Sequence, residues 1–349
     1  MNNFYATFIP GLQNFIAEVI KERLADVKIN KLLDGAVLFE TETSYDKLNF
    51  FCFSNIFAII SIIEGANASN GIEKHIKTFL NENGEAQEII ANNSKKINTF
   101  RIIASVENQP VVIDEKLKNE AEKLISRLSG LKINRSLPDT EFWFLFRNEE
   151  KANGKNFSVF MKRLTIRPSW EKTLHKGELP PPLAWTLCRL ARLSYGDAVL
   201  DPFCGYGSIP ETAMKHFHIT KFTACDNDKK TASYTNARFK KRKEGFIFHQ
   251  TDFEALPSLI TEKSIDAIVT DPPWGQYKEI DENRFLEKMF EVFAKLLKQG
   301  GRAVVLYANQ PALNDSLIKA SSACFKAEKI IPILLSGKKA AVYQFSFLK

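Results

Sequence analysis

Apolar residues recur at strand or helix spacing along most of the chain, and the pattern changes character near residue 165. Phe4 to Ile9 reads as a strand ended by Pro10-Gly11. Leu12, Phe15, Ile16, Val19, Ile20 and Leu24 then recur three and four apart, the spacing of one helix face. Lys28 to Leu33 and Ala36 to Glu40 read as strands around the turn dipeptide Asp34-Gly35. A helix over about Tyr45 to Phe51 and a strand over Ile56 to Ile63 complete a β-α-β-β-α-β order, the split βαβ arrangement.

Glu64 to Gly71 has linker composition. After it come a helix over Ile72 to Leu80, a polar stretch over 84–98 with no legible element, and a strand over Phe100 to Val106. An amphipathic helix over Lys116 to Leu128 stops at Gly130, with a short strand behind it. Glu141 to Arg147 and Phe157 to Leu164 read as two further strands. From residue 178 on, short apolar runs alternate with helical stretches, the pattern of an α/β unit.

The chemistry lies at the ends of those runs. Ile265 to Thr270 is stopped by Asp271-Pro272-Pro273-Trp274-Gly275, since two prolines cannot continue a ladder. The stiff turn carries out a carboxylate, a free carbonyl on Pro272 and an indole face. Two acceptors beside a stacking platform suit a planar exocyclic amine, whose delocalised lone pair they can localise and aim. Ala198 to Leu200 ends in Asp201-Pro202-Phe203-Cys204-Gly205-Tyr206-Gly207, followed by a helix: a strand, glycine loop and helix in series. Pro210 stands where a dinucleotide fingerprint has its third glycine, which argues against a pyrophosphate. Asp201 points instead to a ligand with an ammonium group. Lys221 to Cys225 ends in Asp226-Asn227-Asp228, where an acid can hold both ribose hydroxyls. Phe246 to Gln250 ends in Thr251-Asp252-Phe253, an acceptor for an adenine amine beside a ring that can cover it. Four successive strands thus end in Asp, on the edge where open parallel sheets bind ligands.

Residues 198–275 resemble the class I S-adenosylmethionine-dependent methyltransferases, and the DPPW segment resembles the [DN]-P-P-[YFW] motif of enzymes that methylate exocyclic or amide nitrogens. The resemblance implies a Rossmann-like domain with a mixed seven-stranded sheet over 166–349. Five strands would be parallel, with a terminal antiparallel hairpin turned at Ser336-Gly337-Lys338-Lys339. It assigns Pro180, Asp201, Phe203, Gly205, Gly207, Asp226, Asn227, Asp252 and Phe253 to the cofactor S-adenosylmethionine. Asp271, Pro272, Pro273 and Trp274 become the catalytic residues. Glu178 to Ala184, in a linker and helix spanning 166–195, resembles the segment that closes over the cofactor. Thr99 to Ile102, Leu128 to Asn134 and Leu137 to Phe142 resemble a THUMP domain over 65–165, a module that implies recognition of the tRNA acceptor end. Residues 1–64 resemble the small ferredoxin-like domain that precedes THUMP. The whole is similar to the THUMP-containing tRNA guanine-N2-methyltransferases that act at position 6 or position 10. Trp274 departs from the Tyr more common in those relatives.

Composition adds limits. The 349 residues are enough for two or three cored domains, with an ordinary 44% hydrophobic and 26% charged content. No apolar run reaches membrane-span length, and Met1-Asn2-Asn3-Phe4 does not open a signal peptide. The five cysteines (52, 188, 204, 225, 324) lack C-x-x-C spacing and read as reduced core residues of a cytoplasmic protein. The five histidines show no ligand spacing, so no metal is expected, nor is an obligate protein partner. Residues 1–165 carry 21 basic and 21 acidic residues, so the whole net charge of +7 lies in residues 166–349. That half suits a polyanion. Arg163, Arg167 and the run Lys240, Lys241, Arg242, Lys243, which continues from Arg238, are the candidate RNA contacts. An rRNA guanine-N2 or nucleic-acid adenine-N6 methyltransferase also fits DPPW, and so does a protein-amide methyltransferase, which leaves the THUMP-like region unexplained. A non-catalytic RNA-binding protein would have little use for the four intact acids.

Overall fold

The computed structural model describes residues 1–45, 47–48, 50–66, 70–81, 86–91, 97–107, 109–149, 155–165, 174–240, 244–274, 281–308, 313 and 324–349. The chain divides into two compact units, Met1–Phe8 with Gln13–Glu171, and Ile9–Leu12 with Lys172–Lys349.

The first unit is built on one sheet. Strands β1 (Asn2–Thr7), β2 (Lys28–Leu33), β3 (Ala36–Thr41) and β4 (Asn55–Glu64) stand in the order β2-β3-β1-β4, all antiparallel. Helix α1 (Gln13–Arg23) buries Phe15, Ile16, Val19 and Ile20, the face its spacing predicts. The expected helix over Tyr45 to Phe51 is not formed: the described residues there make turns. Lys47 N–H bonds the Ser44 carbonyl at 3.1 Å, Tyr45 packs edge-on against Phe4, and Phe50 packs against Phe53. A segment this short gains too few backbone bonds to offset helix nucleation, and its rings pack one at a time instead.

The sheet continues past β4 without a break. Helices α2 (Gly71–Asn81) and α3 (Ala86–Ala91) precede β5 (Thr99–Val106) and the two-residue β6 (Gln109–Pro110). Helix α4 (Glu115–Ser129) begins on Asp114, whose carboxylate accepts from Leu117 N–H, and ends at Gly130 with φ 72°. Short β7 (Lys132–Ile133), then β8 (Thr140–Arg147) and β9 (Phe157–Arg163), follow. The order is β4-β9-β8-β5-β6, with β7 also paired to β5. Strand β9 is buried along its whole length and β8 nearly so. Phe142, Phe144 and Phe146 face the helices, while Leu145 joins Tyr5, Phe57, Phe157 and Val159 on the other side. Arg163 is buried too, in an ion pair with Glu141 at 3.1 Å and bonded to Asn55. Its guanidinium is spent inside the sheet, which corrects its expected role as a phosphate contact.

The second unit has strands β10 (Ala198–Asp201), β11 (Lys221–Cys225), β12 (Phe246–His249), β13 (Ile265–Thr270), β14 (Leu297–Tyr307), β15 (Phe325–Leu335) and β16 (Lys338–Phe347). Their order is β12-β11-β10-β13-β14-β16-β15. Strand β16 runs antiparallel to both its neighbours, β14 and β15, and the other six strands share one direction, the mixed seven-stranded sheet expected of the class I methyltransferase fold. The helices are α5 (Pro181–Leu190), α6 (Ser208–His216), α7 (Lys229–Phe239), α8 (Leu256–Leu259) and α9 (Glu282–Leu296). Helix α9 buries Leu286, Met289, Phe290 and Phe293 on the core of β13, β14 and β16. The strand order reverses between β10 and β13, and ligands of open α/β sheets sit at such a switch point. Among the described residues no helix is long and apolar enough to cross a membrane.

Candidate active site

Strands β10 and β13 are neighbours, so their ends bring Asp201 and Thr270 together. The Thr270 hydroxyl donates to Asp201 Oδ1 at 2.7 Å, and the Phe203 N–H donates to the same oxygen at 3.2 Å. Oδ2 is buried with no partner. A buried carboxylate oxygen without a donor is costly, so Oδ2 favours a ligand group that can donate to it. Burial pushes the Asp201 carboxyl up to about 7, and the nearby Asp226 adds to the push.

The glycine loop rests on Asp226. Gly205, at φ 51°, donates its N–H to Asp226 Oδ2 at 2.9 Å. Asp226 Oδ1 accepts from Asp228 N–H at 2.9 Å and from the Thr231 hydroxyl at 2.8 Å. A carboxylate has about four acceptor positions, so these three bonds fix Asp226 and leave about one, on Oδ2, for a ligand hydroxyl. Gly207 caps α6 at φ 85°, and a Cβ there would stand 3.0 Å from Phe239. It makes the turn under the loop. Gly207→Ala should therefore cost about 1–3 kcal/mol of stability from backbone strain, read as a lower melting temperature than the wild type.

The next strand end supplies a flat site. Asn227 Nδ2 donates to Asp252 Oδ2 at 3.2 Å, and Glu254 N–H donates to Asp252 Oδ1 at 3.0 Å. Phe253 is buried, with ring centroids 5.0 Å from Phe203 and 5.4 Å from Phe285. Phe285 comes from α9, a helix with no motif, and its spacing reads only as core. At the fourth end, Trp274 Nε1–H donates to Asp271 Oδ1 at 2.8 Å. Burial pushes the Asp271 carboxyl up to about 8, the indole bond opposes the push, and Asp201 adds to it. The indole thus does more than offer a face: it sets the orientation of the carboxylate.

All four acids line one cavity of about 980 Å³, together with Pro180, Phe203, Gly205, Asn227, Phe253, Pro272, Pro273 and Trp274. Gly207 is the one predicted cofactor residue outside the lining. Its hydrogen faces Phe239 instead. Glu178 holds the segment before α5 over the cavity. Its Oε1 accepts from Arg238 Nη1 at 2.8 Å and the Ser208 hydroxyl at 3.2 Å, and its Oε2 accepts from His175 N–H at 3.1 Å. Arg238 also bonds Glu211 and the Tyr206 carbonyl. It is an internal strut, which corrects its grouping with the basic run. Lys240 is exposed at the end of α7. Arg167, Lys241, Arg242 and Lys243 lie outside the described residues. Among the described residues no cluster of His, Cys, Asp or Glu could hold a metal.

The lining therefore offers an acceptor for a cation, one for a hydroxyl, one for a planar amine between phenylalanine rings, and a fourth on a proline turn. These donors and acceptors fit S-adenosylmethionine with a second planar amine beside it. Residues 168–333 match the family model UPF0020, the RMKL-like methyltransferase domain. A tRNA (guanine(10)-N2)-dimethyltransferase of Methanocaldococcus jannaschii is 30% identical over 217 residues, 58% of this chain and 59% of that protein. A tRNA (guanine(6)-N2)-methyltransferase of Archaeoglobus fulgidus is 22% identical in an alignment covering 92% of this chain and 87% of its own. The crystal structure of TrmN from Thermus thermophilus shares the fold, with a TM-score of 0.78 at 19% identity and 100% of both chains covered. Against the M. jannaschii protein and two other curated relatives, the chain spans 59%, 24% and 45% of the relative's length.

Proposed function

We propose that this chain, which belongs to the family of tRNA guanine-N2-methyltransferases built on the RMKL-like methyltransferase domain, transfers a methyl group from S-adenosylmethionine to the exocyclic N2 of a guanine in tRNA. The observation that carries this reading is the pairing of Asp201, with its unpartnered oxygen, and Asp271 at adjacent strand ends in one cavity. When bound, the cofactor supplies an electrophilic methyl group. The chain's residues do the rest. Asp201 Oδ2 takes the ammonium group, Asp226 a ribose hydroxyl, and Asp252 with Phe253 the adenine. Asp271 and the Pro272 carbonyl accept the two hydrogens of the guanine amine. Held so, the nitrogen lone pair leaves conjugation with the ring and is aimed at the methyl carbon. The proton lost from nitrogen passes to Asp271. Trp274 fixes that carboxylate through its N–H and borders the base.

The division into 1–64, 65–165 and 166–349 belongs to the same proposal, with the THUMP-like segment docking the tRNA acceptor end and the basic half contacting phosphates through Lys240 and its neighbours. A tRNA-modifying role places the protein in the cytoplasm. The test is incubation of undermodified tRNA with isotope-labelled cofactor, followed by nucleoside mass spectrometry and mapping. The expected product is N2-methylguanosine at position 6 or position 10. Methyl-adenosine, or label in rRNA alone, would overturn the assignment.

A further inference from the structure

Beyond its acids, the cavity is lined by cations that the cofactor assignment does not use: Arg284 and Lys288 from α9, and Lys338 from the start of β16. On α9, Asp281, Arg284, Phe285 and Lys288 recur at the spacing of one helix face, and all four line the cavity. Phe285 packs inward on Phe203 and Phe253, while Arg284 is exposed at the rim. Two contacts bring the β15–β16 turn to the same rim. Tyr307, at the end of β14, donates its hydroxyl to Glu282 Oε1 at 2.6 Å, and Tyr307 is in register with Ala341 of β16. The turn itself is tight: Leu335 pairs with Lys338 across Ser336 and Gly337, at φ 49° and 80°. Both left-handed residues suit a two-residue hairpin turn, and Ser336 enters that region at a cost. Lys338 is therefore presented by a rigid element. Resting on the function proposed above, we propose that Arg284 and Lys338 form a phosphate clamp: they hold the backbone phosphodiesters on either side of the guanine whose amine donates to Asp271, with Lys288 adding to the field.

The physics starts from the substrate. A base that enters a pocket turns out of its stack about its own backbone, so its flanking phosphates stay at the mouth. The cavity, at about 980 Å³, lies near the top of the usual range of about 300–1,000 Å³ for one small ligand, which leaves space for a nucleoside beside the cofactor. The acids at the strand ends would repel a polyanion, and cations at the rim offset that repulsion. Strand β13, which delivers Asp271, pairs with β14 through Thr270 and Val305, so the amine acceptor and the Tyr307 end of β14 lie on one edge. Asp281 caps α9 by accepting from the Arg284 N–H at 3.2 Å, so its carboxylate is engaged at the helix start. Lys288 shares its charge with Glu291 at 2.7 Å, which makes it the weaker partner. Among the described residues no carboxylate forms an ion pair with Arg284. Its planar fork matches two phosphate oxygens, and Lys338 serves as a point charge.

The test is the affinity of the full chain, saturated with S-adenosylhomocysteine, for undermodified tRNA over a range of KCl. Arg284→Gln combined with Lys338→Gln should lower the slope of log K against log salt by about 1.4–1.8 and weaken binding roughly 15- to 30-fold at about 0.15 M salt, the share of two phosphate contacts. Affinity for S-adenosylhomocysteine should not change, and KM for tRNA should rise more than kcat falls. Arg284→Lys with Lys338→Arg should keep the salt slope. Position is read with synthetic tRNA carrying uncharged methylphosphonate links, each on a 2′-deoxy sugar, on both sides of the mapped guanine. Relative to charged 2′-deoxy links, these should weaken binding by the wild type and add little to the loss in the Gln variant. An unchanged salt slope, or losses from variant and links that simply add, would overturn the clamp and leave the functional reading intact. So would a fall in S-adenosylhomocysteine affinity at unchanged slope, which would give these cations to the cofactor's carboxylate. Should the Gln variant not fold, the links decide on the wild type alone, where the absence of any loss overturns the clamp. A wild type that methylates no guanine in tRNA would overturn the function itself, and the clamp with it.

Discussion

Asp271→Asn should keep its fold and its affinity for S-adenosylhomocysteine while kcat for tRNA methylation falls about 10²–10³-fold, the usual cost of one preorganised electrostatic group. The fold should survive because Asn has the shape of the carboxyl it replaces, and burial already disfavours the charged form of Asp271. The side-chain carbonyl can still accept from Trp274 Nε1–H. What the variant presents to the guanine is an NH2 donor in place of an acceptor. It cannot localise the amine lone pair or take the departing proton. An interaction realised mainly in the transition state lowers kcat more than it raises KM. Steady-state kinetics on undermodified tRNA, with cofactor affinity measured separately, checks this. Near-normal turnover would remove Asp271 from the chemistry.

Asp201→Asn should act on the other side of the cavity and in two directions. Cofactor affinity should fall by roughly 30- to several-thousand-fold, since truncating one partner of a buried charge pair costs about 2–5 kcal/mol. Unliganded stability should respond oppositely at high pH. The Asp201 carboxyl stands at about 7 in the fold against an ordinary 3.8. A raised carboxyl means that the native state binds more protons than the unfolded chain between those values. Its contribution is complete below the unfolded pKa and is lost as pH rises through the folded one. The empty wild type should therefore melt at a lower temperature at pH 8 than at pH 5, with Asp271 acting in the same direction. Asp201→Asn removes one of the two titrating groups, so the difference should shrink. Thermal scans at both pH values and calorimetry with S-adenosylhomocysteine read the two effects. Unchanged cofactor affinity would end the assignment of Asp201 to the ammonium group.

The cavity was legible in the sequence because its makers are local. An Asp at a strand end, a Gly-x-Gly turn and a double proline each declare themselves within a few residues, and parallel strands put their carboxyl ends on one edge. What stayed hidden was set by partners far along the chain. Thr270 is an ordinary strand residue until β10 lies beside β13. Phe285 keeps helical core spacing whether or not a cavity opens at its helix. Arg163 and Arg238 look like free cations until Glu141, Glu178 and Glu211 close on them. Local signals also misled at Tyr45 to Phe51, where Tyr45 and Phe50 are taken up singly by Phe4 and Phe53. The short α3 stood in polar sequence with too few apolar positions to announce a face. The glycine loop stands between strand and helix as its pattern implies, but only the packing of Phe239 separates the place of Gly207 from that of Gly205.

The pairing of β4 with β9 sets a timetable for synthesis. Ile56, in β4, gives its backbone N–H to the Thr165 hydroxyl, 109 residues later in the chain. As the chain leaves the ribosome, the partner of one edge of β4, β1, is already made, but its other edge has no neighbour until β9 emerges. For that interval an apolar strand of ten residues, Asn55–Glu64, offers unpaired backbone groups to any other extended chain. Closing so distant a pair is slow, because the loop entropy is lost before the contacts form. The cell meets this hazard before the enzyme has an active site, so expression at low temperature or with chaperones should affect the yield of soluble protein more than any change in the cavity.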